Sequence, residues 1–140
     1  MKVIKYIFLF LLITSLSCSK NRQYKNPYLN NLSFSVEINM DLPEYSTLKF
    51  ANNSVLVHQI GIKGVIVFNT GNAYIAFEAS DPNHFPNNCS QMQPNQFTCK
   101  CQCENNEYSL YNGHSIKGKR EYPMKTYKIH RSNNLLRIYN

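Results

Sequence analysis

The residues best suited to chemistry lie close together. Cys89, Cys99, Cys101 and Cys103 are four of the chain's five cysteines and fall within 15 residues, three of them at alternate positions in "TCKCQC". They could act as metal ligands, redox thiols or structural crosslinks. Thiolates are soft ligands, and Cys-x-Cys-x-Cys with His84 nearby could hold Cu(I) or Zn(II), although the spacing is not that of a common zinc module. In an oxidising compartment clustered thiols pair unless metal holds them, and four cysteines permit three pairings. Thiol redox catalysis lacks support, because no Cys-x-x-Cys opens a helix that would depress a thiol pKa. His58 and His130 fall in predicted strands and read as packing or surface residues, and His114 follows the Gly113 turn. No Ser-His-Asp order, phosphate-binding glycine loop or carboxylate pair appears, so the chain reads as a non-enzyme.

The compartment is indicated by the opening "MKVIKYIFLFLLITSLSCSK". Two lysines precede an apolar run too short to span a bilayer, followed by small residues, which is the pattern of an export signal. Its end, Ser15-Leu16-Ser17-Cys18, resembles the lipobox of bacterial lipoproteins, with leucine one position later than usual. That resemblance implies a signal peptide over 1–17, a lipid on Cys18 and a membrane-anchored lipoprotein of the bacterial cell envelope. The polar stretch 18–31 reads as a tether, and 32–140 as one domain with a modest core.

The whole chain carries a formal charge of +7. Without residues 1–17 it has 13 basic and 8 acidic side chains, leaving +5. Seven Lys or Arg fall between positions 117 and 137 against one acid, Glu121. This stretch reads either as a solvated face that maintains solubility or as a steering surface for anionic lipid or an acidic envelope protein at Lys117, Lys119 and Arg120. Nucleic acid is not an expected partner for an exported protein.

The elements that must position the cysteines have strand periodicity. In "SFSVEI" (33–38) apolar and polar residues alternate, and short β-rich runs recur at 54–58, 64–68, 73–79, 96–100, 126–130 and 135–139. Turn residues at 69–72 and 131–134 mark hairpins. Residues 41–53 hold at most one helical turn, limited by Pro43. The expectation is a small antiparallel all-β domain of stacked sheets. A proline-bearing loop over 80–95 faces the cysteine-bearing segment across a hairpin, with both tips at one end.

The order strand, "DPNH", strand, "CQCENNEYSLYNG", "IKGKREYPMKTYKI" resembles a Rieske domain from about Gly64 to Ile129. Tyr108, Leu110 and Gly113 fall on the aromatic, leucine and glycine positions of the family's second loop, and Gly118, Pro123, Met124 and Tyr127 fit its tail. The resemblance implies a Rieske-like antiparallel β-sandwich with two cysteine-bearing loops at one end. A Rieske [2Fe-2S] centre takes two thiolates on one iron and two imidazoles on the other. Carried over by position, the ligands would be Asp81 and Asn83 in the first loop and Cys101 and Glu104 in the second, so one of the four keeps its type. His84 would replace Asn83 if the loop shifted by one residue. The resemblance also implies a disulfide between Cys89 and Cys103, tying the loops together.

The leading expectation is therefore a lipid-anchored envelope protein with a Rieske-like domain whose ligand set is largely lost, carrying no cofactor and having a structural or binding role. The alternatives are an electron carrier with a [2Fe-2S] cluster held by an atypical set drawn from Cys89, Cys99, Cys101, Cys103 and His84, and a soft-metal binder.

Overall fold

A computed structural model describes residues 25–140; the leader, Cys18 and residues 19–24 lie outside the described residues. The strands, in chain order, are β1 (Ser35–Asn39), β2 (Ser54–Val57), β3 (Val65–Asn69), β4 (Tyr74–Glu78), β5 (Met92–Asn95), β6 (Thr98–Cys101), β7 (Glu107–Ser109), β8 (Ser115–Lys117), β9 (Thr126–Ser132) and β10 (Leu135–Tyr139). One 3-10 turn, Ser46–Lys49, fills part of the 41–53 segment. Six strands form an antiparallel sheet in the order β1-β10-β9-β4-β3-β2, and β5-β6-β7-β8 form a second one.

The unbroken apolar run of β3 explains the architecture. All five of its residues are buried, so both faces of the large sheet must be covered. Val65 and Val67 join Ile38 of β1, Val57 of β2, and Leu136 and Ile138 of β10 in one core. Because β1 and β2 lie at opposite ends of the sheet, it curls until both ends share that core. On the other face Ile66 and Phe68 meet Met92, Cys99, Cys101 and Tyr108 of the small sheet. A fully buried side chain of this size contributes about 1.5–3 kcal/mol.

Three strands differ from the sequence reading. The loop expected over 80–95 is shorter, because Met92–Asn95 pairs with β6. Pro94 had argued for loop, but β5 is an edge strand, where a missing N–H is tolerated. β7 and β8 are three residues each, too short to show a period.

Residues 25–31, read as part of a free tether, lie against the domain. Leu29 is buried, the Asn26 side-chain amide donates to the Pro82 carbonyl (2.8 Å), and the Tyr28 ring stands edge-on to Tyr122. Composition hid this docking, since two apolar side chains among polar ones are enough to hold it.

Candidate functional site

Both loops are held at the far end of β4 and β6. Beyond β4, Ala79 accepts from Met92 N–H, Ser80 bridges to Gln91, and Asp81 N–H donates to the Ser90 carbonyl. The first loop therefore closes on itself over residues 81–90. Asn87 orders its tip, its side-chain oxygen accepting from Cys89 N–H and Ser90 N–H. The second loop turns immediately after Cys101. A disulfide joins Cys89 to Cys103, with Cα atoms 5.3 Å apart, and fastens one loop to the other.

Under this crosslink lies a buried polar network. Asp81 is fully buried, and one carboxylate oxygen accepts from the Tyr108 hydroxyl (2.6 Å) and from Asn83 N–H (2.9 Å). Its other oxygen accepts from the Asn106 side-chain amide (2.8 Å). Asn83 donates to the Tyr108 oxygen (2.9 Å) and the Tyr122 carbonyl (2.8 Å), and its own oxygen accepts from Tyr122 N–H (2.9 Å). Asn106 accepts from Lys119 N–H (3.0 Å). The network thus ties the first loop, β7, the second loop and the segment 118–122 together. Burial raises the Tyr108 hydroxyl well above its ordinary range, with Asp81 adding to the effect, so it remains a proton donor.

The cysteines have three different environments. Cys103 is in the disulfide and has no thiolate to offer a metal. Cys99 was a candidate ligand, but its sulfur faces the apolar core, 3.6 Å from the Met124 sulfur and 3.8 Å from that of Met92. Burial raises its thiol far above the ordinary 9.0. Cys101 is also a buried free thiol, raised by burial and by the Asp81 carboxylate, while the backbone amides of Glu104 and Cys103 pull the other way. The strand alternation places 99 and 101 on one face; the end of β6 at Cys101 releases 103 toward the first loop.

The Glu104 carboxylate lies between Lys119 and His84. One of its oxygens pairs with Lys119 (2.6 Å) and the other lies 3.7 Å from His84 Nε2. This contact raises the Lys119 ammonium. His84 Nδ1 and Ser80 Oγ are buried with no hydrogen-bond partner among the described residues. Among the described residues no three His, Cys, Asp or Glu side chains form a group that could hold a metal ion.

Sequence reasoning missed Glu78. Fully buried at the end of β4, it accepts from Ile62 N–H, Lys63 N–H, Ser80 N–H and the Tyr127 hydroxyl at 2.7–2.9 Å. A lone acid in the apolar strand "AYIAFEA" was the available signal. Gly61, at φ +70°, leaves room for it: a Cβ there would lie 2.6 Å from a Glu78 oxygen. Asn106 and Tyr122 were likewise passed over as turn and tail residues.

Comparison with solved structures identifies the architecture. The fold is similar to a chain from the complex of reduced oxygenase and oxidized ferredoxin in carbazole 1,9a-dioxygenase, with a TM-score of 0.52 and 13% identity, covering 79% of this chain and 94% of that one. It is also similar to the terminal oxygenase of carbazole 1,9a-dioxygenase from Novosphingobium sp. KA1, with a TM-score of 0.50 and 13% identity, covering 79% of this chain and 30% of that one. No protein-family model matches the chain, and no curated protein matches it at a significant level. The likeness is one of fold: the domain is a Rieske-like antiparallel β-sandwich.

Proposed function

We propose that this is a lipid-anchored envelope protein in which the cluster end of a Rieske-like scaffold serves as a crosslinked structural clamp that presents a binding surface. The observation that carries this reading is the occupation of the two first-loop positions. Asp81 and Asn83, where the resemblance puts a thiolate and an imidazole, have their side-chain atoms committed to Tyr108, Asn106 and Tyr122. A [2Fe-2S] centre of Rieske type requires soft sulfur and neutral imidazole donors. Of the four positions only Cys101 supplies such a donor. Glu104 is hard and already ion-paired, Cys103 is crosslinked, and Cys99 points into the core. His84 Nδ1 is one unpartnered imidazole atom, and one such atom does not make a ligand set. The residues present do not fit the cluster, and the reading includes no electron-transfer or catalytic step.

The membrane enters this reading as partner through Cys18, with Lys117, Lys119 and Arg120 as the basic contact for anionic lipid or an acidic envelope protein. Labelled palmitate incorporation that disappears in Cys18→Ala is the expected signature of the anchor.

The test of the lost site is the composition of anaerobically purified protein. The expected result is two free thiols, one disulfide, and neither iron nor acid-labile sulfide. Stoichiometric iron and sulfide with a reducible visible chromophore would establish the electron carrier instead. Stoichiometric zinc or copper without sulfide would establish a soft-metal binder.

A further inference from the structure

The docked segment 25–31 gives the molecule an orientation. Asn26 is hydrogen-bonded to Pro82 in the first loop, and the Tyr28 ring packs on Tyr122, whose backbone is tied to Asn83. The chain therefore leaves the described domain beside the two loops, and not at the β3–β4 hairpin at the opposite end of β4. Cys18 precedes Lys25 by seven positions, so even a fully extended link reaches roughly 25 Å. A domain of this size is roughly 35 Å across. If Cys18 carries the anchor, as the proposed function holds, the loop end is the end kept near the bilayer.

The side chains at that end suit such a surface. Phe85, at the tip of the first loop, is 71% exposed, the highest value among the large apolar side chains described, followed by Phe50 at 68% near the β3–β4 hairpin. Beside it, His84, Glu104 and Lys119 form a chain of contacts linking the first loop to the 117–120 segment. Lys117, Lys119, Arg120 and Lys25 are all exposed. The acids among them are Glu104, which pairs with Lys119, Glu107, which is opposite Lys117 across the β7–β8 pair, and Glu121, so the four cations outnumber the acids by one. An exposed aromatic at the tip of a loop whose end of the domain also carries exposed cations matches the bilayer interface, where the ring enters the headgroup boundary and the cations meet anionic lipid.

We infer that this loop end, with Phe85 at its tip and Lys117, Lys119 and Arg120 beside it, rests on an anionic bilayer surface. The inference depends on the lipid-anchor reading and adds which face the anchored domain turns to the membrane.

The absence of tryptophan from the chain makes a direct test possible. Phe85→Trp puts a single reporter at the tip, and Asn72→Trp puts one on the exposed β3–β4 hairpin. The full chain, produced in a bacterial host and extracted from its membranes, is reconstituted with vesicles of brominated phosphatidylcholine, with or without phosphatidylglycerol. Thermal midpoints and circular dichroism establish that both variants fold. The expected result is quenching several-fold stronger at residue 85 than at residue 72 with phosphatidylglycerol present. That difference should shrink in pure phosphatidylcholine and in a Lys117→Gln, Lys119→Gln, Arg120→Gln background. Protein that floats with pure phosphatidylcholine vesicles but is quenched equally at both reporters overturns the orientation and leaves the anchor standing. Protein that does not float with them overturns the anchor and the orientation together. A difference unchanged by phosphatidylglycerol and by the glutamine substitutions overturns the assignment to anionic lipid.

Discussion

The Tyr108 hydroxyl donates to one buried carboxylate and accepts from one buried amide. Removing that oxygen deprives Asp81 of its shortest hydrogen bond and leaves the Asn83 side-chain amide with the Tyr122 carbonyl as its one remaining acceptor, in a place water does not readily reach. Leaving a buried polar group short of a partner costs about 1–3 kcal/mol. Tyr108→Phe is expected to lower unfolding free energy by about that amount in urea titrations. Tyr111→Phe, which removes an exposed contact to Asn52, should stay within about 0.5 kcal/mol; equal effects would mean that the network contributes no special stability. The two free thiols carry a second expectation. Both are buried and raised, so a thiol reagent should modify neither quickly in the folded protein and both once denaturant is added. Rapid labelling of either in native buffer would contradict the packing described here. Sequence spacing revealed that Cys99 and Cys101 share a face. It did not reveal that Met92 and Met124 cover that face, because both methionines come from segments whose placement depends on tertiary pairing.

Among the elements, the two loops matter most, and they are fastened in two ways. The disulfide joins Cys89, near the returning end of the first loop, to Cys103 in the second, while Asn106, Asp81 and Asn83 join both loops to β7 and to the 118–122 segment. Gly118 permits the second fastening: at φ +86° its backbone passes so close to Asn106 that an added Cβ would clash with the side-chain oxygen. The double variant Cys89→Ser, Cys103→Ser is expected to lose about 3 kcal/mol on loop-entropy grounds. Because the second fastening stays in place, hydrogen exchange should quicken chiefly around Asn87 to Ser90 and in the second loop, with β4 and β9 keeping their protection. Exchange rising equally throughout the large sheet would show that the crosslink holds the whole domain. The long strands β1, β3, β4, β9 and β10 were legible from alternation or continuous apolar runs. In the small sheet the run at 96–100 marked β6, but β5, β7 and β8 were not legible: three residues show no period, and Pro94 reads as loop unless the strand is known to be an edge.

At the scale of the whole molecule, sequence indicated stacked sheets but not how they close. The run "GVIVF" requires cover on both faces, yet the pairing of β1 with β10 joins residues about a hundred positions apart, and local pattern holds no record of it. The closure leaves a set of buried thiols and phenols whose protons the fold retains. Burial raises the thiols of Cys99 and Cys101 above the ordinary 9.0, and the hydroxyls of Tyr108 and Tyr127 above 10.0, with Glu78 beside Tyr127 adding to its shift. All four shifts have the same sign. The folded state keeps these protons where the unfolded chain releases them, so their stabilisation is complete below the unfolded pKa values and is lost as pH rises above them. Each such group removes about 1.4 kcal/mol per pH unit once the unfolded form has ionised. Lys125, which burial pushes down, acts in the opposite direction but is one group against four. Thermal midpoints measured from neutral to strongly alkaline pH should therefore hold steady up to the ordinary thiol value and then fall, more steeply once phenol ionisation joins in. Cys101→Ala removes one of the four groups and should make that fall shallower, whatever it does to stability at neutral pH. A midpoint that stays level through the phenol range would mean that water reaches these groups in the folded protein and that the core over β3 is not closed.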